Sequence, residues 1–281
     1  KTFYTWPLPF FVGMVRLKVL IAGGSSFIGK NLVAAVPANW DVVATFHTDS
    51  SFTGFVRRSC SNGNVTPYRL DLTNEGGVAE FAQKFPEFDV ILYLAANSDP
   101  KKSIPGPGMD LKINTLGLVT LLEKLRCKRL VYISSSAVYL DSLIPYIFSK
   151  RVSEEYIKFF AEQKGFSYVI IRLFETYGPY SPERKICRKL VQQFDKGDPN
   201  VTLYGDGTNL IDHLYIDDTV AALIKIISSG KGSVTVDLCT GQSISLKELV
   251  DRIAKVYGIT PKITHAGQAA AKIYFKGDPK N

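Results

Sequence analysis

Short apolar runs alternate with longer stretches of helical period through the first half of the chain. KVLIA (Lys18–Ala22) is apolar after its lysine, the pattern of a strand covered on both faces. It runs into GGSSFIGKNLVAAV (Gly23–Val36), a glycine turn that opens a helix. Further strands are expected at Asp41–Phe46, Tyr68–Leu72, Asp89–Leu94 and Leu130–Ile133. Helices are expected at Glu75–Phe85, Met109–Leu125 and, behind Pro145, Tyr146–Gln163. The connection Pro100–Gly108 holds three prolines and reads as a mobile loop. Strands and helices taking turns in this way predict an α/β fold with a doubly wound, Rossmann-type parallel sheet.

Beyond it the elements are smaller: helix Glu183–Lys196, strand Val201–Tyr204, helix Asp217–Ser228, strand Val234–Leu238 and helix Leu246–Tyr257. They read as a smaller C-terminal α/β lobe beside the carboxyl edge of the sheet. The expected division is 14–172 for a dinucleotide-binding domain and 173–281 mainly for a substrate-binding lobe. Residues 1–13, KTFYTWPLPFFVG, precede Met14 and stand outside the fold as an appended or native extension.

Composition narrows the class. Hydrophobic residues make up 46% and charged ones 21%, ordinary for a soluble globular chain. No run approaches the ~18 apolar residues of a membrane span. Cys60, Cys127, Cys187 and Cys239 have no paired spacing, so they read as reduced thiols of a cytoplasmic protein, and no metal site is expected. The net charge of +8 is dispersed in small groups such as Arg57-Arg58 and Arg184 to Lys189. Attraction of small anions explains that better than nucleic-acid binding, so no nucleic-acid partner is expected.

The candidate chemistry lies at strand ends. Gly23 and Gly29 stand where backbone must approach a pyrophosphate and where helix must pack closely on strand, and Ser26 takes the place of a second glycine. The second strand ends in His47-Thr48 where NAD binding calls for an acid; Asp49 comes late. Polar residues there, with Arg57-Arg58 downstream, favour NADP slightly over NAD. Ser134, Ser135 and Ser136 close the strand Leu130–Ile133. Tyr146 and Lys150, four apart, share one helix face. An ammonium beside a phenol is expected to lower its pKa by about 1–3 units and make Tyr146 an acid/base. Tyr-x-x-x-Lys by itself also suits any amphipathic helix; the rest of the chain decides.

GGSSFIG, RLDLT, LAANSD, KINTLG, VYISSSAVY, YIFSK, RLFETYGP, LYGDGTNLIDHLYIDDTV and CTGQSISLKEL occur in that order. With them the chain resembles the extended short-chain dehydrogenase/reductases, in particular the NAD-dependent epimerase/dehydratase group that acts on nucleotide sugars. The resemblance implies Ser135 as the hydroxyl that hydrogen-bonds substrate, Tyr146 as acid/base and Lys150 as the ribose-binding cation. It implies Gly23, Ser26, Phe27, Ile28 and Gly29 around the pyrophosphate, His47 and Thr48 near the adenosine ribose, and Asp71 with Leu72 at the adenine. Ala95 and Ala96 would lie beneath the cofactor, and Asn114 would be structural. Ser136, Glu175, Arg184 and Arg188 are the substrate-binding candidates. A homodimer through the helices at Met109–Leu125 and Tyr146–Gln163 is a further implication.

Departures from the pattern qualify it. The positions that carry an Asp-Glu pair in 4,6-dehydratases hold Ser136 and Ala137, which disfavours that reaction. Glu175 replaces a diphosphate-binding Asn and is expected to repel a diphosphate. Ile211 replaces a clamping Arg. Arg184, Lys185 or Arg188 would have to compensate. The interval from Ser135 to Tyr146 is short, which implies a trimmed rim. Asp217-Asp218 read as N-cap and first-turn acids rather than metal ligands, and His213 and His265 receive no role. The expected activity is C4 epimerisation of a nucleotide sugar. The alternatives are an NADPH-dependent 4-ketosugar reductase, a non-catalytic NAD(P)-binding sensor or scaffold, and, on charge alone, an RNA-associated relative.

Overall fold

Neighbouring residues on the first strand belong to different cores. Val19 and Ile21 pack in one apolar cluster and Leu20 and Ala22 in another, all fully buried. That is why the strand reads as an unbroken apolar run: both faces of its sheet are covered. A computed structural model describes residues 16–60, 63–230, 232–267 and 274–275 of the chain. The expected extension 1–13 lies outside them.

The first part of the chain runs β1 (Leu17–Ala22), α1 (Phe27–Ala34), β2 (Trp40–Phe46), α2 (Phe52–Ser59), β3 (Val65–Arg69), α3 (Glu75–Lys84), β4 (Glu87–Tyr93), α4 (Pro100–Ser103), α5 (Pro107–Leu111), α6 (Gly117–Lys124), β5 (Arg126–Ser135), α7 (Pro145–Lys164) and β6 (Ser167–Leu173). The remainder runs β7 (Glu175–Tyr177), α8 (Ile186–Asp195), β8 (Asn200–Tyr204), β9 (Leu210–Tyr215), α9 (Ile216–Ser228), β10 (Val234–Leu238), β11 (Ser243–Ser245), α10 (Leu246–Tyr257), β12 (Lys262–Ala266) and β13 (Tyr274–Phe275).

Seven parallel strands form the main sheet in the order β3-β2-β1-β4-β5-β6-β10. The order reverses between β1 and β4, and in such sheets the crevice at the strand ends there takes the ligand. Helices α1, α2 and α9 cover one face, and α3, α6 and α7 the other. The smaller β7, β9, β11, β13 sheet and the β8–β12 pair stand at the carboxyl edge. Their own apolar cluster joins α8 and α10 through Leu190, Phe194, Leu249 and Val250. Among the described residues no helix is long and apolar enough to cross a membrane.

Four differences from the pattern matter for the site. The third strand is Val65–Arg69, not Tyr68–Leu72, because Asp71 turns the chain by accepting from Thr73 N and Thr73 Oγ1 at 2.9 and 2.8 Å. Pro100–Gly108 holds short helices rather than a structureless loop. Both begin on a proline, and Asp99 caps α4 by accepting from Lys101 N at 3.1 Å. The long helix at Met109–Leu125 is interrupted by a π turn, Lys112–Leu116, which turns Asn114 and Thr115 inward. Asp217 and Asp218 lie in the first turn of α9, whose N-cap is Tyr215. They suit the positive helix end, and among the described residues no group of acids, histidines and cysteines could hold a metal.

Candidate active site

The crevice opens at the glycine turn after β1. Gly24 N donates to Thr45 O at 2.7 Å and Gly23 N to Thr45 Oγ1 at 3.1 Å, so buried Thr45 on β2 pins the turn. Gly23 has φ of +94°, and a Cβ there would lie 2.8 Å from Ala95 N. A Cβ on Gly29 would lie 2.5 Å from Gly24 O. Both positions therefore demand glycine. Ser26 caps α1, its hydroxyl accepting from Gly29 N at 3.1 Å; it does the work of a cap where the motif has glycine. Phe27 and Ile28 form the first turn of α1. This cradle, bare of side chains and closed by a helix N-terminus, suits a dinucleotide pyrophosphate.

On the adenosine side, exposed His47 and Thr48 follow β2. His47 Nε2 lies 3.6 Å from Asp71 Oδ2, and Arg69 Nε donates to His47 O at 3.3 Å. Burial pushes the Asp71 carboxyl up, but hydrogen bonds from Thr73 and the charges of His47 and Lys112 leave it below its usual range. Leu72 turns into the core and touches the space beside Gly117. Asp49 is engaged by Lys30 at 2.7 Å, and Arg57 and Arg58 sit exposed in the last turn of α2. The basic groups beside the end of β2 are thus Lys30, His47 and Arg69.

At the end of β5 the three serines separate. Ser134 Oγ donates to Glu154 Oε1 at 2.5 Å, and Ser136 is buried in a 3₁₀ turn, Ser136–Tyr139. The Ser135 hydroxyl accepts from Ala137 N at 3.2 Å and is close enough to the Tyr146 phenol to act on its ionisation. Ala95 and Ala96 follow β4 beside this centre. Arg151 holds the short rim through Nε to Val138 O at 2.9 Å and Nη2 to Val138 O and Leu140 O at 2.8 and 2.6 Å.

The expected Tyr146–Lys150 effect is corrected here. Burial raises the Tyr146 phenol above its usual pKa. The Ser135 hydroxyl opposes that, Asp110 adds to it, Arg184 opposes it and Glu175 adds again. Lys150 Nζ instead donates to Ile133 O at 2.8 Å and lies 4.8 Å from the Tyr132 ring centroid. Burial lowers Lys150 to about 8, against the upward pull of Asp110 and Glu154. The raised phenol is protonated at neutral pH.

Facing this centre is a cavity of about 470 Å³ between the end of β4 and the loop before α8, lined by Asn97, Asp99, Lys102 and Arg184 among others. Arg184 on its lining, and Lys185 and Arg188 further along the same segment, already have partners. Arg184 Nη2 donates to Ser98 O and Oγ at 2.6 and 2.9 Å, with Nε 3.6 Å from Asp99. Lys185 Nζ pairs with Glu175 Oε1 at 2.9 Å. Arg188 reaches Ser181 O and pairs with Glu183 at 3.8 Å. Glu175 is therefore half of an ion pair, not the bare acid the pattern implied. Opposite it on β9, His213 has a buried Nε2 without a hydrogen-bond partner, and burial lowers its pKa against Glu175.

A family model for the NAD dependent epimerase/dehydratase family matches residues 19–238. The chain belongs to that family. It is an enzyme of the epimerase/dehydratase kind. A UDP-glucose 4-epimerase 4 of Oryza sativa subsp. japonica is 26% identical, over 85% of this chain and 76% of that one. A dTDP-glucose 4,6-dehydratase of Salmonella typhimurium is 24% identical, over 79% and 72%. In fold, the chain matches the UDP-glucuronic acid 4-epimerase of Bacillus cereus, solved with UDP-glucuronic acid and NAD, at a TM-score of 0.83, covering 94% and 91% at 22% identity.

Sequence reasoning passed over Thr45, Arg151, Glu154 and Asp110. Asp110 had a visible signal: it lies four residues before Asn114, on what reads as one helix face.

Proposed function

We propose that the chain is an NAD(P)-dependent epimerase of a nucleotide sugar, acting at C4 through a transient 4-keto sugar. One observation carries this: the buried Tyr146 phenol at the start of α7 and the Ser135 hydroxyl at the end of β5 act on one another, at the edge the glycine cradle serves. The cradle would hold the pyrophosphate, Ala95 and Ala96 would lie beneath the ring, and Lys150 would leave Ile133 O for the nicotinamide ribose. NAD(P), when bound, supplies the acceptor and then the donor of the C4 hydride. Tyr146 would take the proton of the C4 hydroxyl and return it to the same oxygen after the keto sugar has turned to present the other face of C4 to the nicotinamide. Ser135 donates to the same oxygen. Lys150, drawn towards the phenol, favours its ionised form. Arg184, Lys185 and Arg188 give up their internal acids to the diphosphate.

A 4-ketosugar reductase that uses NADPH is the second reading. Lys30, His47 and Arg69 beside the β2 end favour it, since they suit a 2′-phosphate; the NAD bound to a structural neighbour favours the first. A homodimer fits exposed Phe148, Val152, Tyr156 and Phe159 on α7, beside exposed Met109 and Leu116; light scattering tests it. The deciding experiment identifies the co-purified dinucleotide by mass spectrometry and then offers UDP-, dTDP- and GDP-sugars. Product formed without net change in nicotinamide absorbance supports the epimerase, stoichiometric NADPH loss the reductase. Dinucleotide binding without turnover of any sugar would overturn both in favour of a sensor.

A further inference from the structure

Behind the reaction centre lies a carboxylate that neither substrate nor cofactor needs to touch. Asp110, at the end of α5, is 1% exposed. Its Oδ1 accepts from Asn97 Nδ2 at 2.8 Å and Asn114 Nδ2 at 3.2 Å, and its Oδ2 from Ser149 Oγ at 2.7 Å. All three donors are neutral, and no ion pair of the described residues includes Asp110. Donors converging on both oxygens suit the ionised carboxyl, yet a buried anion without a cation is costly. Lys150 follows Ser149 on α7 and is itself buried at 4% exposure.

We propose that Asp110 is the buried counter-charge of the Lys150 ammonium and the anchor that holds the Asn97 segment behind it, which makes it a positioning residue of the reaction centre. Lys150 touches the Ile133 carbonyl and the Tyr132 ring of β5, and two buried acids act on its charge: Glu154 of its own helix and Asp110 of α5, which holds the preceding residue Ser149. Glu154 is already engaged, by Arg172 Nη2 at 2.7 Å and Nε at 3.2 Å and by Ser134. Asp110 is the acid of the two without a cation of its own. Its field acts on Tyr146 as well, so one carboxylate biases both members of the pair. Asn114, bridging Asn97 N at 2.7 Å, Asp110 and Ser149, ties β4's end to α7. This gives the π turn a purpose: it brings Asn114 to bear on the carboxylate.

The inference rests on reading Lys150 as part of the centre, so its test follows Lys150 directly. In protein carrying ¹³C,¹⁵N-lysine, with Lys150→Arg to assign the resonance, the Lys150 titration is followed by NMR. In Asp110→Asn the midpoint should fall by about one pH unit or more, a tenfold change in the charged-to-neutral ratio. An unmoved midpoint overturns the proposal. Ser149→Ala keeps the carboxylate and should leave the midpoint in place; a shift as large as that of Asp110→Asn overturns the charge argument. Wild-type protein serves if Asp110→Asn does not fold: the Asp110 carboxyl carbon must respond at the Lys150 midpoint, and silence there overturns the proposal. If these shifts appear while no sugar nucleotide is turned over, the counter-charge stands and the catalytic reading falls.

Discussion

The reaction centre and the cavity it faces handle charge in opposite ways. At the centre, Lys150, Glu154 and Asp110 are buried, and each is held by named hydrogen bonds at 2.5–3.2 Å. The pairs at and around the cavity are more exposed: Arg184–Asp99 lies on its lining, with Lys185–Glu175 and Arg188–Glu183 nearby along the chain. Losing one partner of a buried pair strands a charge and costs several kcal/mol, about 3–5. A half-exposed pair is worth about 0–1 kcal/mol and exchanges partners readily. The two buried acids are therefore held before any ligand arrives, whereas the pairs around the cavity can hand their cations to an incoming anion.

The sharpest break of that contrast is Tyr146→Phe. It removes the oxygen proposed to transfer the proton and leaves the ring in place. Turnover should fall by about 10³-fold, while thermal melting and dinucleotide binding stay near wild type. Comparable losses in melting and turnover would mean that the phenol is a structural group.

Glu154→Gln attacks the support instead. Arg172 would lose its bidentate carboxylate, and Ser134 would face an amide. A loss of about 3 kcal/mol in urea unfolding is expected, against a change within about 1 kcal/mol for Glu183→Gln at the exposed Arg188 pair. Equal costs at the two positions would erase the distinction between the regions.

The Lys150 charge sets a third test. Its folded pKa is lowered from 10.5 to about 8, so the ammonium is present below that value and lost as pH rises through it. In the range where Lys150 limits the rate, turnover should fall about tenfold per pH unit above pH ~8. With Asp110→Asn the limb should move to lower pH, because removing the anion lowers Lys150 further. A rate that stays flat to pH ~10 would leave Lys150 without a role in the rate.

Much of the fold was legible because period and turn chemistry agree in it. Apolar runs marked the parallel strands, Pro145 marked the start of α7, and the Gly23–Gly29 motif marked the switch of strand order. The candidate centre shows in the sequence as a helix spacing, Tyr146 with Lys150, and as a strand end, Ser135. Its electrostatics do not. The spacing puts an ammonium on the same face as the phenol, but it does not show that Ile133 O and the Tyr132 ring hold that ammonium. Nor was the π turn legible, since Lys112–Leu116 has the composition of an ordinary helix. The cavity was least legible. Whether Glu175 repels or pairs depends on Lys185, brought back from the start of α8, and Arg184 finds Ser98 and Asp99 across the crevice; neither pairing has a local signature.

Glu175→Gln is the gentlest test and the one that reads the cavity directly. The substitution frees Lys185 at the cost of a pair worth about 1 kcal/mol. If Lys185 is held in reserve for a diphosphate, KM for the sugar nucleotide should fall about fivefold, since binding no longer has to break the pair. Lys185→Met should raise KM, and in the double variant the gain from Glu175→Gln should vanish, because the two act through one contact. Glu175 also pushes His213 and Tyr146 upward. An effect exerted through those groups would change with pH and move kcat. A KM effect that is the same at pH values either side of neutrality belongs to Lys185. Should Glu175→Gln weaken binding instead, the carboxylate itself meets the substrate, and the cavity would then be built around fixed charge, like the centre behind it.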